Sequence, residues 1–199
     1  MTNDAPHRSF GTTRRAMVYG ALALTTWPRL AMARQGFVID WQGAEPVPVL
    51  AAFLEAQIRI VEALPISADA MEFFRAEVIH VDREEGTKTR ARGGVFFARQ
   101  VQAADNPVLL HELIHRWQWV RMGWPRDPAV VRFYDAARTS GDWPAQSYML
   151  TNPMEFFAMC ASVVLHGRAA RPPLTRAAVK ARMPALYDFI VAQFGARLG

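Results

Sequence analysis

The chain predicts an α+β fold in one domain. Three observations carry this: strand-like apolar runs occur only in the first half, helical periodicity takes over from about residue 107, and no low-complexity linker or internal repeat intervenes. Hydrophobic residues make up 51% of the sequence, enough for a domain of this length to bury one adequate core.

The elements follow in order. Residues 37–41 read as a short strand, and residues 49–64 have helical periodicity that stops at Pro65. Residues 68–75 form a short helix, residues 77–82 alternate as a strand, and Glu84, Glu85, Gly86 and Thr87 mark a turn. A strand at 93–98 opens with Gly93 and Gly94. Helices then follow at 107–121, 128–138, 153–166, 175–182 and 184–195. The first has Asp105 or Asn106 as its cap and Pro107 in its opening turn. The third has Asn152 as its cap, Pro153 at its first position and Gly167 as its stop.

The helix at 107–121 contains His111-Glu112-Leu113-Ile114-His115, an H-E-x-x-H motif. At about 100° per residue, positions i and i+4 lie about 40° apart on one face, so both imidazoles can reach one ion. Glu112 falls about 100° round from His111, beside the ligand pair, where a carboxylate can take a proton from water and return it to a leaving group. Without a metal the stretch is an ordinary amphipathic helix. Leu109, Leu110, Leu113, Ile114 and Trp117 already supply its apolar stripe, however, and the histidines adjoin that stripe rather than oppose it.

A catalytic zinc takes a third protein ligand and keeps one position open. Residues 116–121 lack the glycine and third histidine of the metzincin continuation. The remaining candidates are Cys160, Asp127, Asp135, Asp142, Glu155 and His166. Glu155 is the best placed, because a carboxylate in a Phe-rich and Ala-rich helix is costly to bury unless paired or metal-bound. The competing reading is a solvated glutamate favoured by the dipole of a first helical turn. His166 lies about 16 Å further along that helix and cannot share an ion with Glu155. Tyr148, just upstream, could donate a hydrogen bond to an oxyanion, although its spacing alone suits a packing aromatic.

His111, Glu112 and His115, then Tyr148, then Glu155 within Pro153-Met154-Glu155-Phe156-Phe157-Ala158, resemble the catalytic domain of anthrax lethal factor and its relatives, including the Pro-Pro endopeptidases. These are gluzincin-type metallopeptidases, and the match spans roughly residues 75–165. The resemblance implies a zincin-like domain with a small sheet, an active-site helix and a helical C-terminal half. It implies His111, His115 and Glu155 as ligands to one Zn²⁺, Glu112 as general base and Tyr148 as transition-state hydrogen-bond donor. It does not carry over substrate preference. In zincins an edge strand upstream of the motif helix pairs with extended substrate. Residues 93–98 could serve so, with Gly93 and Gly94 admitting a close backbone, or could form a core strand with a glycine bulge.

Residues 1–33 read as a twin-arginine-type signal peptide and 34–199 as the catalytic domain. Arg14 and Arg15 precede an apolar run at 16–26, and Ala31-Met32-Ala33 forms a cleavage site. The run is too short for the roughly 20 residues that span a bilayer, so no membrane span is expected after processing. The chain has 23 basic and 18 acidic residues, net +5; residues 1–33 hold four arginines and one aspartate, which leaves 19 against 17, net +2. That small excess is no nucleic-acid footprint. Arg83, Lys88, Arg90, Arg92 and Arg99 cluster before the motif helix and read as a solvated hairpin or, alternatively, an acidic-substrate groove. The single cysteine, Cys160, excludes an internal disulfide and packs as a small hydrophobe.

The expected function is an exported, periplasmic or extracellular zinc metallopeptidase acting on a peptide or protein substrate. A zinc-stabilised binding or scaffold domain and a zinc amidase acting on cell-wall or small substrates are the alternatives. A pseudoenzyme would most cheaply lose Glu112, and Glu112 is present.

Overall fold

A computed structural model describes residues 36–83, 88–99 and 101–199. The signal peptide expected at 1–33 and the turn expected at 84–87 lie outside these residues. The elements are β1 (Ile39–Asp40), α1 (Pro48–Glu62), α2 (Ala68–Ala76), β2 (Ile79–Val81), β3 (Val95–Phe97), α3 (Val108–Arg121), α4 (Pro128–Ser140), a 3₁₀ turn (Tyr148–Leu150), α5 (Pro153–His166), α6 (Arg176–Arg182) and α7 (Pro184–Phe194). The α+β expectation holds, and every expected strand and helix is present, with ends shifted by at most three residues. Among the described residues no helix is long and apolar enough to cross a membrane.

The sheet differs from expectation in one respect. Its order is β1-β2-β3 and both pairings are parallel, with Ile79 opposite Ile39 and Val95, and Val81 opposite Phe97. Thus β2 and β3 are not the arms of a hairpin. Parallel neighbours need a crossover of roughly a dozen residues, and residues 82–94 supply one. Gly93 and Gly94 have φ of +64° and +129°, and a Cβ on Gly94 would stand 2.9 Å from the His80 ring. The close approach at this glycine is therefore made by the chain's own His80, whose Nδ1 lies 2.8 Å from Asp40 Oδ2.

Helix α5 forms the centre of the core. All its residues from Phe156 to Leu165 are buried, Cys160 among them. Its ends are built as the sequence implied. Asn152 Oδ1 accepts from the Met154 and Glu155 amides at 3.0 and 2.9 Å, and Gly167 closes the helix at φ +107°. Arg176 adds donors to the Val164 and Leu165 carbonyls.

Helix α3 packs chiefly on α5, with α1 and β3 also against it. Two features beyond apolar packing fix its position. Trp117 joins a cluster with Phe73, Phe74 and Phe194, its ring centre 5.0 Å from that of Phe194. Arg116 forms a two-pronged pair with Glu77, at 2.7 and 3.3 Å, where both side chains are largely shielded.

The start of α3 is held differently from expectation. Neither Asp105 nor Asn106 caps it; Pro107 occupies the cap position and offers no side-chain acceptor. Gln57, fully buried on the apolar face of α1, does the work of a cap. Its Oε1 accepts from the Leu109 amide at 3.1 Å, and its Nε2 donates to the Ala104 and Asn106 carbonyls, each at 3.0 Å. Asp105 and Asn106 instead hold the loop after α5, through Arg168 and the Ala170 amide. Replacing Gln57 with the similarly sized Leu leaves the buried Leu109 amide without its acceptor and removes one donor from each of the Ala104 and Asn106 carbonyls, the latter keeping the Val108 amide. Urea unfolding of Gln57→Leu should show a loss of about 2–4 kcal/mol.

Candidate metal centre

The i, i+4 spacing on α3 places His111 and His115 side by side, and α5 brings the third residue to them in its first turn. Glu155 Oε2 lies 3.1 Å from His111 Nε2 and 3.4 Å from His115 Nε2, and the two Nε2 atoms are 3.1 Å apart. Four ligands at about 2.05 Å around a tetrahedral zinc stand about 3.3 Å from one another. The three donor atoms therefore already have the spacing of one face of such a tetrahedron. Among the described residues this is the one group of three that could hold a metal ion.

The protonation pattern agrees with that geometry. His115 Nδ1 lies 3.1 Å from Gln118 Oε1. An amide oxygen only accepts, so Nδ1 carries the hydrogen of that bond, which leaves Nε2 as the atom that a neutral ring would offer to a metal ion. Three electron-pair donors facing one another at these distances need a shared proton or a cation. Two imidazoles and a carboxylate with an open fourth side are a donor set that zinc takes, so the residues fit the ion. His111 has no equivalent support: its Nδ1 is buried without a protein partner.

Burial alone would raise the Glu155 carboxyl, but hydrogen bonds and charge from His111 and His115 hold it well below the ordinary carboxylate range. Burial likewise opposes a charge on His115, yet its bond to Glu155 and the nearby carboxylates raise it overall. Glu112, only 7% exposed, is raised above the ordinary value because burial outweighs the favourable charge of the two histidines.

Tyr148 stands on the 3₁₀ turn that leads into α5, 43% exposed. Its hydroxyl is pushed up to about 12 by burial, the charge of Glu155 and a hydrogen bond to it. Tyr148, His111 and Glu112 line a common cleft of about 370 Å³, with Thr89 and Ala98 on its sheet side and Met159 and Arg171 on its helical side. All five residues singled out in the sequence therefore meet here. The rejected candidates lie elsewhere in role: Asp127 caps α4, Asp135 and Asp142 are exposed, and His166 ends α5.

The sheet side resolves the edge-strand question in part. β3 is an edge strand, but Phe96 exchanges both backbone hydrogen bonds with Arg90, at 2.7 and 2.9 Å. The chain thus covers its own edge at Phe96, and Ala98 is the residue that faces the cleft. Two neighbours of His115 were not singled out in the sequence. Gln118 sits one turn on, at a spacing that could have marked it. Trp124 meets His115 edge-on, ring centres 6.0 Å apart, from a loop without periodicity.

No family model and no curated protein matches this chain. The solved structure of a Pro-Pro endopeptidase from Paenibacillus alvei shares its fold, with a TM-score of 0.53 over 79% of this chain and 97% of that one. The two are 15% identical, so the likeness is one of fold.

Because burial raises Glu112, the metal-free protein loses stability as pH rises from the ordinary carboxylate value through the folded one. A glutamine there carries no such penalty. In the presence of chelator, Glu112→Gln should melt above the wild type at about pH 8, with the gap closing towards about pH 4. Thermal unfolding across that range checks it.

Proposed function

We propose that the protein is a zinc-dependent peptidase. The observation that carries this reading is the meeting of His111, His115 and Glu155 at 3.1–3.4 Å beside a buried Glu112 in an open cleft. The shared fold with an enzyme named as an endopeptidase supports peptide hydrolysis over other uses of the same centre.

His111, His115 and Glu155 would hold the ion. When bound, zinc supplies Lewis-acid polarisation of a carbonyl and makes water more acidic. Glu112 takes the proton of the attacking water and passes it to the leaving amine, a task suited to a carboxyl whose affinity for protons is raised by burial. The Tyr148 hydroxyl donates to the oxygen of the tetrahedral centre, and its raised value keeps it a donor at neutral pH. Gln118 holds the His115 ring in one tautomer.

A peptide-library digest with purified protein, with and without chelator, tests the reading. Zinc should bind one ion per chain, His115→Ala should lose it, and Glu112→Gln should keep it while losing cleavage. Tyr148→Phe should keep zinc and thermal stability but lower turnover roughly 10- to 1,000-fold with little change in KM. Full activity in Tyr148→Phe would remove the phenol from the mechanism.

We also propose export, on the strength of residues 1–33. N-terminal sequencing of protein from the outer compartment should find a start near Arg34, and Arg14→Lys with Arg15→Lys should retain the precursor inside.

A further inference from the structure

Several basic residues of the domain are already engaged. Arg75, Arg90, Arg116 and Arg168 each have a carboxylate partner, in Glu62, Asp82, Glu77 and Asp105. Arg99 donates to the Asp82 carbonyl. Two members of the cluster noted before the motif helix, Arg90 and Arg99, are thereby engaged. Lys88 and Arg171 are different. Both are exposed, both line the cleft that holds His111, Glu112 and Tyr148, and neither has a carboxylate partner among the described residues.

Arg171 is also held in place. It lies in the loop between α5 and α6, which is cross-tied by Ala169 N to Leu174 O at 2.9 Å and by Leu174 N to Arg171 O at 3.1 Å. The same loop is fastened to the start of α3 through Ala170 N to Asn106 Oδ1 and Arg168 to Asp105. The guanidinium carbon stands 5.6 Å from the centre of the Tyr148 ring, a cation–π arrangement that fixes its direction. Its forked donors therefore lie beside the Tyr148 ring in the cleft that also holds His111 and Glu112. The described carboxylate lining this cleft is Glu112, nearly buried on its floor.

Resting on the peptidase reading, we infer that the cleft selects peptides with an aspartate, glutamate or terminal carboxylate close to the cleaved bond, and that Arg171 is the residue that reads it, assisted by Lys88. A planar guanidinium matches a carboxylate with two parallel hydrogen bonds, and a cleft wall strengthens such a pair relative to open surface. The cation–π contact would couple recognition to chemistry, because the cation that binds the substrate carboxylate stacks on the ring whose hydroxyl is proposed to serve the oxyanion.

The test uses zinc-loaded full-length domain and a short degenerate peptide library, with cuts mapped by mass spectrometry. Asp and Glu should be enriched about fivefold or more over Asn and Gln at one fixed position within a few residues of the cut. The enrichment should vanish in Arg171→Gln and turn towards Lys and Arg in Arg171→Glu, with a smaller loss in Lys88→Glu. A parallel arm measures binding of acidic and neutral library pools to zinc-loaded Glu112→Gln by fluorescence anisotropy. Acidic pools should bind about tenfold tighter, with the difference shrinking as salt is raised. Cleavage without acidic preference, or a preference unchanged by Arg171→Gln, overturns the inference and leaves the peptidase reading standing. Acidic binding lost in Arg171→Gln, without cleavage by the wild type, overturns the peptidase reading and keeps only Arg171 as the reader of a peptide carboxylate. Neither cleavage nor acidic binding overturns both.

Discussion

The relative placement of α3 and α5 is the constraint on which the site depends. Two of the three donor atoms are on one helix and the third is on the other, and they meet within 3.4 Å. A shift of one helix by an ångström would open that face of the tetrahedron. The fold resists the shift from several sides. Apolar side chains of α5 are buried along its length, Trp117 sits in an aromatic cluster, and the Arg116–Glu77 pair joins α3 to the segment entering β2. Breaking such a shielded pair by removing one partner costs about 3–5 kcal/mol, so it opposes sliding as well as unfolding.

The centre also concentrates opposed electrostatic demands. Glu155 and Glu112 lie in the same small volume, yet their environments drive them apart. Two imidazoles pull Glu155 towards ionisation, while burial pushes Glu112 towards its protonated form. Separation of this kind lets one carboxylate hold a cation and the other move a proton. The arrangement is expensive in the absence of a metal, because it gathers lone pairs that repel one another. Binding of a cation would therefore stabilise the folded protein, by an amount that grows with the logarithm of its affinity.

Features carried by neighbouring residues were legible in the sequence, and features carried by distant ones were not. The i, i+4 spacing of His111 and His115 needs only helix geometry. Asn152, Pro153 and Gly167 act on backbone groups within a few residues, so the ends of α5 could be read directly. The cap of α3 could not, because its acceptor is Gln57, and nothing near Pro107 announces a partner on another helix. The parallel sheet was missed for a related reason. A turn-forming run at 84–87 suggests a reversal, but pairing direction depends on where the whole crossover runs. Arg171 and Trp124 reach the site from loops, where periodicity supplies no address. Glu155 was legible through the cost of burying a carboxylate in an apolar helix and through elimination, whereas the spacing of Tyr148 alone favoured a packing aromatic and the resemblance pointed to its role.

The clamp made by Gln57 has a consequence for how the chain is built. The donor that α3 needs satisfied at its start is met by a residue 52 positions upstream. On a ribosome, α1 has emerged before α3 is translated, so the acceptor is already waiting when the motif helix appears. The order of synthesis thus suits the dependency: the motif helix is completed by something older than itself. A rearranged gene that placed residues 48–62 after the rest would reverse that order, and the helix bearing both histidines would spend its first moments with an open end.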